Sequence, residues 1–428
     1  MVKVNRMSLR TDEGFSAFLM RNSGNIAFLR FEVEGLKQDP LSDWDIAIRD
    51  RERGLSDCAD LFGDAWLRIP REYVVQHYYQ WGQVDLLPSF QWNGFEYLDQ
   101  ELFWAGVSEG PDGIPRPALG HDAYITWMTG LLWGQSFKPR YADFVKAGAV
   151  KDEGIFRQSL MAVFGEELAE ELFNLAVIGR AGEAVTLVPK MRKKLRWSRL
   201  QKEPFEAFET LTRHWLCELT FHFKTPFPWI GILGPDGSGK STVIEGLASA
   251  LEQSRIGMKS IHWLPQLRDD TETSSVVVTD PHSRPPKSAC LSFLQLGKIF
   301  VVWWIALFKN LLHLRAKKSL VLSDRFYPDL LADPRRYRYG ASTKFAAFVF
   351  RFLPKPDRVI VLHTRAETIL KRKQEVTPEE LERQLGSYQK IADDWGERAV
   401  LVDCGQKPEA VVEEVLVAVV KALAKRTR

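Results

Sequence analysis

Residues Trp229 to Leu233 form an apolar run that leads directly into Gly234-Pro-Asp-Gly-Ser-Gly-Lys-Ser-Thr242, and apolar residues then recur at helical spacing. A strand, a turn of the form Gly-x-x-x-x-Gly-Lys-Ser and a helix, in that order, constrain the fold more than any other stretch. The pattern predicts a phosphate cradle. Gly234, Gly237 and Gly239 allow backbone amides to turn inward around an anion, and the opening of the following helix adds the positive end of its dipole. Pro235, Asp236, Ser238 and Thr242 complete the loop, Lys240 is expected to reach the terminal phosphates, and Ser241 is the expected magnesium ligand.

A chain of 428 residues, 45% hydrophobic and 26% charged, has the composition of a globular protein of two or three domains. With 58 Lys and Arg against 55 Asp and Glu, the net charge of +3 makes no strong case for nucleic acid. Cys58, Cys217, Cys290 and Cys404 are too dispersed for a zinc site or a disulfide framework, which predicts a reducing, cytoplasmic setting. Met1 to Thr11 is polar and basic and carries no signal peptide pattern. The apolar run Ile299 to Phe308, bracketed by Lys298 and Lys309, is about half the length a bilayer needs. It reads as a buried core helix rather than a transmembrane segment or an interfacial anchor.

Beyond Trp229 the chain alternates strand and helix patterns. Strands are expected at Trp229 to Leu233, Lys259 to Trp263, Ser319 to Ser323, Arg358 to Leu362 and Ala399 to Val402. Such alternation predicts a five-stranded parallel sheet wrapped by helices. The helix after the cradle should bury Val243, Ile244, Leu247 and Leu251, and the last helix Val412, Val415, Leu416 and Val419. Pro226 and Pro228 put a domain boundary near Thr225. The expected organisation is an α/β domain over residues 1–115, a helical accessory domain over 116–225 and a P-loop domain over 226–428. Within the helical part, Lys190 to Arg199 is densely basic, which reads as a solvated helix face or as a grip on phosphates.

At the carboxyl end of the third expected strand of the last domain stands Asp324-Arg325-Phe326-Tyr327, where ligands sit in open α/β sheets. Asp324 there can position magnesium, and Arg325 can clamp phosphate with two prongs. The cradle, Asp324-Arg325-Phe326, Lys355-Pro-Asp-Arg-Val-Ile-Val-Leu362 and Val402-Asp403-Cys404 occur in an order that resembles thymidylate kinase over about 200 residues. This resemblance implies a P-loop kinase fold, ATP and Mg2+ as cofactors, and Asp236 as a contact for the acceptor's sugar hydroxyl. It also implies that, with Gly237 where some relatives carry a basic residue, a lid must supply the charge. Arg365, Lys371, Arg372 and Lys373 fall there, just before the Thr377-Pro-Glu-Glu380 capping box, with Arg372 the first choice for a catalytic role. An exposed basic helix face is the alternative.

The chain departs from that family in Pro328 to Gly340, where Asp329, Arg335, Arg336 and Arg338, interleaved with Tyr337 and Tyr339, stand in place of base-reading residues. Guanidinium forks suit a phosphorylated sugar or another small anionic acceptor better than thymidylate. In this respect the domain resembles thymidylate kinase-like proteins associated with bacterial surface polysaccharide synthesis.

In the first hundred residues, Ser42-Asp43-Trp-Asp45-Ile-Ala-Ile48 offers two carboxylates on one side of a strand, and Asp85 a third on a neighbouring one. Three convergent carboxylates hold two magnesium ions for nucleotidyl transfer. Residues 24 to 110 thus resemble the nucleotidyltransferase superfamily, although the Gly-Ser pair of that family is missing and Gly35 is the nearest glycine. An active transferase, a degenerate one and a simple Asp-x-Asp turn all remain open. The expected function is ATP-dependent phosphoryl transfer by the carboxyl-terminal domain, with a homodimer left open. A nucleotide sensor or scaffold without turnover, or transfer chemistry centred on the amino-terminal domain, are the rivals.

Overall fold

The computed structural model describes residues 18–19, 22, 24–30, 44–62, 65–71, 73–80, 82–202, 204–223, 227–263, 285–307, 319–373 and 376–427. The chain divides into two compact units, Met1–Thr220 and Phe221–Arg428. The architecture is mixed α/β, with a five-stranded all-parallel sheet in the second unit.

The first unit begins with a five-stranded mixed sheet. Its strands are β1 (Ile26–Phe28), β2 (Trp44–Ile48), β3 (Leu67–Pro70), β4 (Val75–Tyr79) and β5 (Gly82–Leu87), in the order β1-β2-β5-β4-β3. Helix α1 (Arg51–Phe62) lies between β2 and β3. Two short hairpins, β6 (Gln91–Trp92) with β7 (Phe95–Glu96) and β8 (Ser108–Glu109) with β9 (Pro115–Arg116), flank α2 (Gln100–Ala105). The helices α3 (Leu119–Gly134), α4 (Ala142–Lys151), α5 (Glu153–Phe164), α6 (Glu166–Val177), α7 (Val188–Lys202) and α8 (Pro204–Phe223) follow. Ala27 and Ala47 of the sheet join Tyr124, Trp127, Phe156 and Leu195 of the helices in one buried apolar cluster.

The basic run of α7 is largely engaged. Arg192 and Arg196 pack over the Trp92 ring at 4.7 and 4.9 Å, Lys190 pairs with Glu167 and Glu171, and Arg199 pairs with Glu96. Cys217, Cys290 and Cys404 form no disulfide.

The second unit runs β10 (Trp229–Leu233), α9 (Lys240–Gln253), β11 (Gly257–His262), α10 (Ala289–Ala306), β12 (Ser319–Asp324), α11 (Asp329–Ala332), α12 (Thr343–Phe350), β13 (Arg358–His363), α13 (Ala366–Arg372), α14 (Pro378–Trp395), β14 (Ala399–Asp403) and α15 (Pro408–Thr427). The strand order is β11-β12-β10-β13-β14, all parallel, so the central β10 is buried throughout. Buried Val243, Leu247 and Leu251 of α9 and Val411, Val415 and Val419 of α15 cover the sheet at helical spacing. The two helices approach so closely that a Cβ on Gly246 would meet Val412 Cγ2 at 2.7 Å.

The apolar segment near residue 300 differs from expectation. Helix α10 continues through Lys298 to a length of 18 residues, with mean hydropathy 1.7, long and apolar enough to cross a membrane on length and composition. It is not a fully buried helix either: Ser292, Leu296, Ile299, Trp303 and Ala306 face the core, while Leu291, Phe293, Leu294 and Val301 are exposed. The ten-residue count failed because a single lysine on the outer face does not interrupt a helix.

At the centre of the sheet, Gly231 leaves room for Phe326, whose ring would lie 2.5 Å from an added Cβ. Phe326 is fully buried against Trp229, Tyr327 and Trp395 and cannot move aside. Gly231→Ala is therefore expected to destabilise the protein by about 1–3 kcal/mol in denaturant unfolding, the cost of overpacking a closed core. An unchanged unfolding midpoint would mean that the strand and ring separate freely.

Candidate functional site

The loop between β10 and α9 has the backbone its sequence requires. Gly234, Gly237 and Gly239 have φ of +152°, +82° and +87°, a region that side-chain-bearing residues seldom adopt. Gly234 is also closed in by Leu362 O and Ser238 Oγ, each 2.9 Å from where a Cβ would be. Gly239 caps α9 without a side-chain acceptor, leaving the first amides of the helix, from Lys240 onward, directed at the loop.

Gly237 has a second constraint. A Cβ there would approach Lys373 Cβ at 3.0 Å and Ile369 Cγ2 at 3.2 Å, so the end of α13 occupies the space that a basic side chain at this position would need.

Charged side chains from four elements converge beside the loop. Lys240 is buried, and its Nζ donates to Gly234 O at 2.9 Å and Pro235 O at 2.7 Å, with Asp236 Oδ1 at 4.0 Å. Burial, with Arg325 nearby, lowers its pKa to about 7. Asp236 receives Arg325 Nη2 on one oxygen and Arg336 Nη1 on the other. Burial alone would raise this carboxyl, but the cations Arg325, Lys240 and Arg336 outweigh it and hold it well below the usual range.

Arg325 is 3% exposed and sits at φ +62°, a strained conformation for a residue other than glycine. Its side chain reaches forward to Asp329, four residues on in α11. Asp329 is fully buried, and its carboxylate accepts from Arg325 Nη1 at 2.8 Å, Tyr337 Oη at 2.6 Å and Tyr388 Oη at 2.7 Å. These donors outweigh the burial penalty and keep its pKa below the usual value. Tyr337 is in turn stacked on Trp263 at 3.8 Å between ring centres.

Asp324 ends β12, opposite His262 at the end of β11, and their side chains meet at 3.0 Å between Oδ2 and Nδ1. The other oxygen of Asp324 is buried without a hydrogen-bond partner. Lys240, Arg325 and Arg336 thus face Asp236, Asp324 and Asp329: three cations against three carboxylates. A bare polyphosphate would upset that balance, whereas a magnesium-bound one brings its own counter-charge. The free oxygen of Asp324 and the exposed Ser241 provide the one or two protein oxygens that magnesium takes. The residues present fit magnesium and a nucleotide.

Several expected residues lie elsewhere. Arg372 donates to Cys404 O at 2.9 Å and is tied to the end of β14 rather than to Asp236 or Lys240. Of the three arginines after α11, only Arg336 reaches Asp236. Arg338 donates to Pro285 O at 3.1 Å, and Arg335 is exposed. Only half of the expected capping box is formed at the start of α14: Thr377 Oγ1 accepts from the Glu380 amide at 3.4 Å, while the Glu380 carboxylate is taken by Arg383. His262, Tyr388 and Trp263 were missed; the end of the second parallel strand is a position that points to His262.

In the first unit, Asp45 on β2 and Asp85 on β5 are paired in register across parallel strands. Asp43 and Gly35 lie outside the described residues. The expected metal cluster is not seen among the described residues. Asp45 is ion-paired with Arg30, and Asp85 accepts from Gln83 Nε2 at 2.6 Å and Gln76 Nε2 at 3.2 Å. The Arg30 guanidinium stands at the carboxylate of Asp45, where a metal was expected.

The Arg30 amide donates to Asp122 Oδ2 at 2.8 Å, while Asp122 Oδ1 is buried without a partner. Burial raises this carboxyl from 3.8 to about 7.

No protein-family model matches the chain, and no curated protein sequence does either.

Two side chains make the geometry testable. Asp329→Asn leaves Arg325 buried with half its compensation, and is expected to cost about 3–5 kcal/mol in denaturant unfolding. A loss below about 1 kcal/mol would mean that Arg325 is free to reach water. For Asp122, the folded state keeps a proton that the unfolded chain loses between about pH 4 and pH 7, so its contribution to stability falls as pH rises through that window. Asp122→Asn, which keeps an acceptor for Arg30, should match the parent protein near pH 4 and exceed it by about 1 kcal/mol or more at pH 8 in thermal unfolding. An advantage that shrinks with rising pH would contradict the buried, protonated carboxyl.

Proposed function

We propose that the protein is an ATP-dependent phosphotransferase whose carboxyl-terminal P-loop domain, similar to thymidylate kinase, transfers the terminal phosphoryl group to a small anionic acceptor. The observation that carries this reading is the convergence of Lys240, Arg325 and Arg336 on Asp236 beside a glycine loop with three positive-φ glycines.

Magnesium, when bound, would neutralise phosphate charge, and Ser241 and Asp324 are the residues that would hold it. The remaining work falls to the chain itself. The loop amides and Lys240 grip the donor phosphates, and Lys240 exchanges the carbonyls of Gly234 and Pro235 for phosphate oxygens. Arg325, held by Asp329 through Nη1, presents its other terminal nitrogen, Nη2, to the oxygens that gain charge during in-line transfer. Asp236 orients the acceptor and keeps Arg325 and Arg336 paired until the acceptor's own anion competes for them. A role in surface polysaccharide synthesis agrees with an acceptor site rich in arginine.

The pairing of Arg30 with Asp45 favours a non-catalytic reading of the amino-terminal nucleotidyltransferase-like fold, with the carboxyl-terminal unit as the seat of chemistry.

Lys240→Ala should leave the circular dichroism spectrum unchanged and lower ATP turnover at least about a hundredfold. Turnover within a fewfold of the parent protein would remove the kinase reading. Thymidylate should be a poor acceptor. A specificity constant of about 10⁴ M⁻¹s⁻¹ or more in steady-state assay would show that the arginines do not exclude it.

A further inference from the structure

The parallel sheet has two ends, and the cradle uses only one. Lys355 and Arg398 stand just ahead of β13 and β14, at the amino ends of those strands, away from the loop that follows β10. They open onto a cavity of about 490 Å3, lined also by Arg351, Asp394, Trp395 and Tyr327. Its charge is unbalanced, with three cations against one carboxylate. Its wall is aromatic: Trp395 and Tyr327 lie 6.5 Å apart between ring centres at 38°, and Lys355 Nζ is 5.9 Å from the Trp395 ring. Behind them Phe326 packs edge-on against Trp395, which fixes the ring in place.

A flat, half-buried ring in a cavity that also carries three cations is the complement of a molecule that carries a ring and a phosphate. The volume is that of an ordinary small-ligand site. An acidic peptide would meet the cations but leave the rigid ring unused, and an apolar ligand would strand the charges. We propose that this cavity is a second ligand site, separate from the cradle, that binds a nucleoside monophosphate or a closely similar phosphorylated ring compound. The ring stacks on Trp395, and the phosphate is held by Arg351, Lys355 and Arg398.

The cavity shares no lining residue with the cradle, so it can be tested in a protein whose cradle is disabled. The full-length Lys240→Ala variant is titrated by calorimetry with adenosine, uridine, thymidine and guanosine 5′-monophosphates, and with the matching unphosphorylated nucleosides. At least one monophosphate is expected to bind, at least about tenfold more tightly than its nucleoside. Adding Arg351→Glu and Arg398→Glu, both exposed positions, should weaken that binding at least tenfold, with the circular dichroism spectrum unchanged. No monophosphate binding to Lys240→Ala, or equal affinity with and without the two charge reversals, would overturn the proposal. Neither result bears on ATP turnover by the parent protein, so this failure and that of the kinase reading are distinguishable.

Discussion

The interaction on which the second unit depends is the buried pair of Arg325 and Asp329. An arginine 3% exposed beside a fully buried aspartate is tolerable only because every prong of the carboxylate is used, by Arg325, Tyr337 and Tyr388. That requirement reaches outward. It bends the backbone at Arg325 into the αL region, and the next residue, Phe326, is carried beneath Gly231 in the central strand. It also brings α11 and α14 together through Tyr388. A buried pair of this kind is weak evidence for stability and stronger evidence for placement, because hydrophobic residues would fill the same volume at less cost. What is placed is the second guanidinium nitrogen, which meets Asp236 in the loop.

The loop region is polarised around that contact. Lys240 lies in a dry pocket that lowers its pKa to about 7, with only loop carbonyls and a carboxylate 4.0 Å away to hold it. Such a lysine gains from any anion that enters. Asp236 plays the opposite part, keeping two arginines paired while no other anion is near. The first unit has settled its charges differently. Arg30 answers Asp45, two glutamine amides answer Asp85, and Asp122 avoids its burial cost by holding a proton.

Much of this was legible in the chain. The five parallel strands were readable because strands buried on both faces appear as apolar runs between helical repeats, and their observed limits differ from expectation by two residues or fewer. The cradle was readable because its glycines have no substitute at positive φ. The positions of Asp324 and Arg325 followed from the rule that ligands gather at the carboxyl ends of parallel strands. What was not legible depends on where side chains turn after the backbone is set. Arg336 reaches Asp236 while Arg338 turns to Pro285 O, although both lie in one basic run. Arg372 finds a backbone carbonyl instead of the loop. Asp45 and Asp85 do stand side by side in register, as adjacent strands allow, yet the ion-pair partner of Asp45, Arg30, is fifteen residues upstream in a stretch with no motif.

Lys240, Arg325 and Asp236 are proposed here as a site for a magnesium nucleotide. The most direct measurement is a crystal structure with magnesium and a non-hydrolysable ATP analogue. The terminal phosphates are expected within hydrogen-bond distance of Lys240 Nζ, which leaves the carbonyls of Gly234 and Pro235, with Arg325 still held by Asp329. A nucleotide bound away from this loop, or Lys240 still on its two carbonyls with the analogue in place, would contradict it.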